Sequence, residues 1–242
     1  MKRLLTTAAL GVALAAGVPT DAHAQVWTDR GFANVTLGGQ APSHTLSAET
    51  TPEIYGEPAS IRSTQDVGGG FLFEVAGGYK VWRNLAVGIG VSRVGSKGDL
   101  SIAGAIPDQL ETDTLRNVTA TVPDAKHGQT AINLTGTWMM PYTDKIDFGF
   151  HFGPTIFRVS QDLPSGFTIQ EPTPTITSAA LEKTTKTTVG IHFGVDATYL
   201  VTPRYGVGAL VRYTWGSVDL GGADDSLTVG GLHLGVGLRV RF

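Results

Sequence analysis

The last stretch of the chain, Leu227 to Phe242, reads LTVGGLHLGVGLRVRF. Stepping back from the terminus by twos collects Phe242, Val240, Leu238, Val236, Leu234 and Leu232. The other parity collects Arg241, Arg239, Gly237, Gly235, His233 and Gly231. A two-residue period is that of a β-strand, because successive side chains leave a strand on opposite faces, whereas a helix would scatter the same residues around its axis. One face is apolar and the other is polar or bare. A strand with such unlike faces suits a wall between lipid and a polar interior.

The same design recurs along the chain. Ala33, Val35 and Leu37 oppose Asn34 and Thr36 in a first strand, Phe32 to Gly39. Phe71, Phe73, Val75, Tyr79 and Val81 oppose Glu74 and Lys80, and a tight turn at Trp82-Arg83-Asn84 leads into Leu85, Val87, Ile89 and Val91. Ile132, Leu134, Trp138 and Met140 then turn at Pro141 to Asp144 into Ile146, Phe148, Phe150, Phe152 and Ile156, whose opposite face holds Asp147 and His151. Val189 to Tyr199, with His192 and Asp196 on the polar side, turns at Thr202-Pro203-Arg204 into Val207 to Trp215, with Arg212 on the polar side. Long strands joined by a few residues form antiparallel hairpins. Between the hairpins, Gln40–Asp66, Lys97–Gly128 and Gln161–Lys186 are polar and show no apolar alternation, so they read as long exposed loops, with a shorter one at Ser217–Asp225. The count is eight strands, the last closing on the first. Alternating short turns and long loops is the asymmetry of an antiparallel up-and-down transmembrane β-barrel with short periplasmic turns and long extracellular loops.

Composition closes other routes. A net charge of −3 with 16% charged residues gives no field that would recruit nucleic acid. Cysteine is absent, so packing and backbone hydrogen bonds must hold the fold. Lys2 and Arg3, the apolar run Ala8 to Val18 and Ala22-His23-Ala24 form a charged segment, a core too short to span a bilayer and an A-x-A cleavage site. Residues 1–24 are therefore expected to be a cleaved signal peptide, leaving 25–242 as one outer-membrane barrel domain.

A soluble barrel would also alternate, but its bulky apolar residues would fill the inside and its outside would carry charge on every strand. Here the apolar face is nearly free of charge, while the other face combines glycines with Glu74, Lys80, Asp147, His151, His192, Asp196, Arg212, His233, Arg239 and Arg241. A core of glycine and charge could not hold a soluble domain together, whereas a lipid-facing apolar surface needs no covering layer. Tyr79, Trp82, Trp138, Tyr142, Tyr199 and Tyr205 fall at the short-turn ends with Phe242, where a periplasmic aromatic belt would sit.

The signal segment, the eight strands and the terminal run Gly235 to Phe242 resemble the small outer-membrane β-barrel proteins of Gram-negative bacteria, the OmpA/OmpX/OmpW-like and opacity-protein-like group of surface antigens. The resemblance spans the mature chain and is architectural. It implies a place in the cell outer membrane, contact with outer-membrane lipids and lipopolysaccharide, and a role for Phe242 and its alternating partners as the signal read by the barrel-assembly machinery.

Four chemistries fit the polar face. His151 beside Asp196, and His192, Arg212 and His233 on consecutive strands, suit an oriented imidazole or a metal. They suit equally a hydrogen-bonded network filling a narrow lumen, since buried charge must be paired and eight strands leave room only for side chains. Members of the resembling group that act on lipid A would need a Ser nucleophile and a His base at the lipid-facing rim. The strand histidines point inward and Ser43-His44 stands alone, so no enzyme and no cofactor are expected. Inward glycines would also suit a narrow, porin-like channel or a carrier of small hydrophobic molecules. Arg93 and Arg158, of outward parity near the long-loop rim, would meet lipopolysaccharide phosphates. The expectation is a non-catalytic outer-membrane barrel presenting surface loops to an extracellular ligand, with the channel or carrier as the alternative.

Overall fold

The computed structural model describes residues 27–41, 44–67, 69–108, 111, 114–170, 175–219 and 226–242. The expected signal peptide lies outside them, as do Ser43 and most of the last loop. Among the described residues there are twelve strands and no helix: β1 (Gly31–Gln40), β2 (His44–Thr50), β3 (Glu53–Ile54), β4 (Glu57–Pro58), β5 (Ser60–Val67), β6 (Gly70–Trp82), β7 (Leu85–Pro107), β8 (Leu115–Pro141), β9 (Ile146–Gln170), β10 (Thr175–Leu200), β11 (Tyr205–Asp219) and β12 (Ser226–Arg241). Eight of them, β1 and β6 to β12, pair antiparallel in a closed ring, with β12 against β1 and β7 against β8. The seam between β1 and β12 runs in register from Phe32 opposite Arg241 to Gln40 opposite His233. A Cβ on Gly237 would run into the Val35 carbonyl oxygen, and one on Gly38 into that of Leu234, so these glycines let the two edges close.

The short turns have a side-chain cause. Thr143 Oγ1 accepts from the backbone N–H of Ile146 at 3.0 Å, and Thr202 Oγ1 accepts from that of Tyr205 at 3.0 Å. Each hydroxyl holds the chain in a local turn. At the third turn Arg83 takes φ +40°.

The long connections depart from expectation. Much of Gln40–Asp66, Lys97–Gly128 and Gln161–Lys186 is strand rather than loop, and β7 to β10 extend 23 to 27 residues, against 15 and 16 for β11 and β12. The ring thus rises on one side into an extracellular wall. β5 and β6 both pair with the same edge of β7, Ser60–Gln65 higher up and Phe71–Trp82 lower down, so they are two lengths of one strand interrupted around Gly69. β2 extends the wall by pairing with β5.

What changes between barrel and wall is the solvent. In the barrel the outward residues are apolar and exposed, for example Val189 and Val236, both 67% exposed. The inward ones are polar and buried. In the wall the apolar residues turn inward: Ile61, Leu100, Ile102 and Ala125 form one buried cluster, and Ala59, Ile106 and Val118 another. The outward positions become Lys97, Asp99, Ser101 and Thr119, all exposed. Lipid outside favours apolar residues there, and water outside favours the reverse. On β8 the switch needs a parity change, made by a bulge: Gly98 pairs with Ala125 and Leu100 with Val122, leaving Pro123 and Asp124 against Asp99. Asp124 takes φ +59° to make it. Phe157 is fully buried with Ala131, Val159, Val218 and Val229 in a cluster closing the top of the barrel interior.

Candidate functional site

The inward positions of eight strands converge on a narrow lumen. Its charges are arranged as three ion pairs at successive heights. Nearest the periplasmic end, Arg241 on β12 pairs with Asp147 on β9 and lies 3.6 Å from Asp29. Above it, Arg239 Nε donates to both Asp196 oxygens at 3.1 and 3.0 Å, its Nη1 donates to Thr36 Oγ1 at 3.0 Å, and Thr198 Oγ1 donates to Asp196 at 2.9 Å. Higher again, Arg212 on β11 crosses to Glu74 on β6. All six residues are buried, and three cations face three carboxylates, so the lumen charge is compensated.

The histidines link these pairs to neutral groups. An Arg212 Nη2–H points at His233 Nδ1 at 3.4 Å, His233 Nε2 lies 3.1 Å from Gln40 Oε1, and Gln40 Nε2 donates to the Gly230 carbonyl. The donors run in one direction if the His233 proton sits on Nε2, which fixes its tautomer by its neighbours. Thr155 Oγ1 donates to Asn133 at 2.8 Å and therefore receives from His192 Nδ1, also at 2.8 Å, leaving His192 Nε2 to accept from Thr135 at 3.2 Å. His151 stands apart from the carboxylate expected to orient it: its Nδ1 faces Thr137 Oγ1 at 3.5 Å, because Asp196 is taken by Arg239. Lys80 is at the rim rather than in the network, donating to the carbonyls of Trp27 at 2.8 Å and Thr28 at 3.3 Å.

Parity alone did not reveal two further layers. Trp27 is 2% exposed at the periplasmic mouth, packed with Ala86 and Met139 against Phe32, with the Lys80 ammonium 5.8 Å from its ring centre. At the outer end His127 Nδ1 donates to Gln161 Oε1 at 2.7 Å, Gln161 donates to Gln65, and Gln65 Nε2 donates to the Ala125 carbonyl at 2.9 Å. These amides belong to stretches read as loops, and their buried spacing is visible only once strand parity is known there. Burial pushes the His127 imidazole below its ordinary 6.5, with the Gln161 bond acting against that shift.

Between the rows, the lumen retains cavities of about 30 and about 20 Å³. Each has room for one or two waters. Among the described residues no three His, Asp or Glu groups gather as a metal site. The aromatic residues Tyr79, Trp82, Trp138, Tyr142, Tyr199, Tyr205 and Phe242 are all exposed on the outer face at the short-turn end.

No protein-family model and no curated protein matches the chain. Among solved structures it is similar to Neisserial surface protein A, with 15% identity over 88% of this chain and 97% of that one and a TM-score of 0.47. It is similar also to the outer membrane protein OprG from Pseudomonas aeruginosa, at 10% identity over 89% and 96% with TM-score 0.47. A third is the outer membrane protease OmpT from Escherichia coli, at 13% identity over 90% and 98% with TM-score 0.37. At such values the likeness carries no argument of its own, and the fold is read from the strands themselves. The closed eight-stranded ring, its apolar outer face and its charged interior make the chain, by fold, a small outer-membrane β-barrel.

Proposed function

We propose that the protein is a non-catalytic, non-conducting outer-membrane anchor that holds its extracellular wall and loops at the cell surface. The observation that carries this reading is the filled lumen. Three ion pairs, the histidine and glutamine layers, the Phe157 cluster and Trp27 succeed one another along the described lumen, and the voids between them are water-sized, while a wider pocket of about 590 Å³ lies at the periplasmic mouth beside Trp27, Asp147 and Arg241. An ion crossing it would have to break buried pairs, each held by desolvated charge. A carrier of hydrophobic solutes would need apolar free space, whereas among the described residues the apolar side chains inside the wall pack against one another. Lipid-directed hydrolysis would need a nucleophile beside a base facing lipid, whereas His127, His151, His192 and His233 all turn inward to amide, hydroxyl or guanidinium partners.

The test is single-channel recording on the full chain reconstituted in planar bilayers, with uptake of small apolar solutes into vesicles alongside. Silent bilayers and no uptake above empty vesicles are expected. Reproducible openings or specific uptake would overturn the anchor reading.

A further inference from the structure

Above the barrel the ring opens between β8 and β9. The two stay paired as far as His127 opposite Gln161, and from Asp162 upward β9 pairs with β10 alone. At the point of parting the Lys126 backbone N–H is met by the Asp162 carboxylate at 3.2 Å instead of by a strand. Ile169 on β9 and Ile176 on β10 pack against the buried Ala59, Ile106 and Val118, so this hairpin covers the inner face of β8 rather than extending its edge. From Leu115 to Val122, β8 has β7 on one side and, among the described residues, no strand on the other. Unpaired backbone donors and acceptors along an edge are a template for another strand.

The other edges of the wall are guarded. β10 carries exposed Glu182, Lys183 and Lys186 above the end of its pairing with β11, β9 has Pro164 beside a register shift, and β2 has Glu49 paired with Arg62. Charge, proline and bulges keep edges from joining. Asn117–Val122 has none of these: Asn-Val-Thr-Ala-Thr-Val is uncharged, rich in β-branched residues and closed by Pro123, which has no N–H to offer. It is also a palindrome. Val118-Thr119-Ala120-Thr121-Val122 reads the same in both directions, so an antiparallel pair of two copies centred on Ala120 sets Val118 opposite Val122 and Thr119 opposite Thr121, each pairing occurring twice. Like then meets like, with the exposed threonines on the outward face and the valines on the inward one. Threonine pairs across strands are stabilising. The flanking charges agree: Arg116 precedes the palindrome and Asp124 follows it, so the same alignment brings each Arg116 toward Asp124 of the second copy.

We propose that Val118–Val122 is a self-recognition edge, at which the wall of one molecule pairs antiparallel with the wall of a second copy anchored in a facing membrane. The inference rests on the outer-membrane reading, which fixes the direction of β8 in every copy: down from the extracellular tip toward the periplasm. Copies side by side in one membrane share that direction. Only copies whose extracellular sides face each other present their edges antiparallel. Ala120 lies ten residues above Thr130, where the apolar outer face has ended. At ~3.3 Å per residue and a tilt near ~40° the edge stands roughly 25 Å from the membrane, so two joined membranes lie on the order of 50 Å apart.

The test uses the full chain refolded into two batches of phosphatidylcholine vesicles carrying different fluorophores, with joint clustering read by two-colour coincidence. Wild-type batches are expected to cluster with each other and not with protein-free vesicles. Thr119→Lys/Thr121→Lys and Thr119→Glu/Thr121→Glu each set like charges across both threonine pairs, and each alone should cluster at least about 10-fold less. A batch of one mixed with a batch of the other should return to the wild-type level. Thr185→Lys/Thr187→Lys, the same charges on β10, should cluster as wild type does. All four side chains are exposed, and circular dichroism with gel mobility before and after boiling checks that each variant is a folded barrel. Should one β8 variant not fold, the other gives the loss, and Thr119→Lys/Thr121→Glu, which sets opposite charges across the same pairs, gives the rescue. Undiminished clustering by the β8 variants, no recovery on mixing or in the rescue variant, or an equal loss in the β10 variant overturns the proposal. Clustering as strong with protein-free vesicles assigns the edge to lipid, and wild-type vesicles that stay apart leave it to a strand of another protein; either result overturns it too. A chain that enters vesicles of no composition overturns instead the outer-membrane reading on which the proposal stands.

Discussion

Asp196 shows how much a single side chain carries in so narrow an interior. Its carboxylate takes both Nε contacts of Arg239, and without it the guanidinium is left with Thr36 and the Leu238 carbonyl. Removing one partner of a buried pair costs more than removing both, because the survivor keeps its desolvation penalty. Asp196→Asn is therefore expected to lower the unfolding free energy by about 3 kcal/mol, measured by urea titration in lipid vesicles. The double variant Asp196→Leu/Arg239→Met should recover to within about 1 kcal/mol of wild type. An additive double variant would show that the pair is not energetically coupled. The participants were legible at this scale: Arg212, His233 and Arg239 follow from two-residue parity alone. Their partnership was less so. Heights counted from the turns put His151 beside Asp196 because they ignore which strands lie across the lumen, and it is Arg239 that reaches the carboxylate.

At the scale of elements, the hairpins and short turns were legible because the apolar alternation is strict there, and the upper halves of β7 to β10 were not. In those halves the apolar residues move to the other face, the polar outward residues resemble a loop, and the bulge at Pro123-Asp124 shifts parity within one strand. A period scan tuned to lipid-facing strands finds nothing to follow. The buried amide row at the base of the wall gives a pH test of this element. His127 is held neutral by burial, its pKa lying below the ordinary 6.5, so the unfolded chain takes up a proton more readily than the folded one. The stabilising contribution is present above about pH 6.5 and is lost as pH falls below it toward the folded-state pKa. Wild type should lose stability between about pH 7.5 and about pH 5 in urea titrations, and His127→Gln, which keeps an amide beside Gln161, should make that dependence shallower, with the lumen residues His151, His192 and His233 carrying the rest. A variant with an undiminished pH slope would place the titrating group elsewhere.

For the whole molecule, the ring and the polarity of its faces are legible in the sequence, while the wall emerges only when neighbouring strands are seen to go on pairing above the barrel with their apolar residues on the other face. The two arrangements share continuous strands. The extracellular wall is thereby joined to the barrel by β7 to β10, each of which runs through both as one strand.

The abrupt ending of the apolar rows also makes the barrel a gauge of membrane thickness. On β10 the apolar stretch runs from Tyr199 to Val189, ten residues apart, with an aromatic belt below and the Arg93–Arg158 row immediately above. A rise of ~3.3 Å per residue and a tilt near ~40° convert those ten steps into roughly 25 Å of hydrocarbon. Neither end has slack: a thicker bilayer would bury the arginines, and a thinner one would strand the valines in water. Refolding yield into saturated-chain vesicles of graded length should peak near a core of ~25 Å and fall on both sides, and a flat profile would count against so sharp a boundary. Wherever the protein sits in a bilayer of another thickness, it is the surrounding lipid that must stretch or thin to meet it.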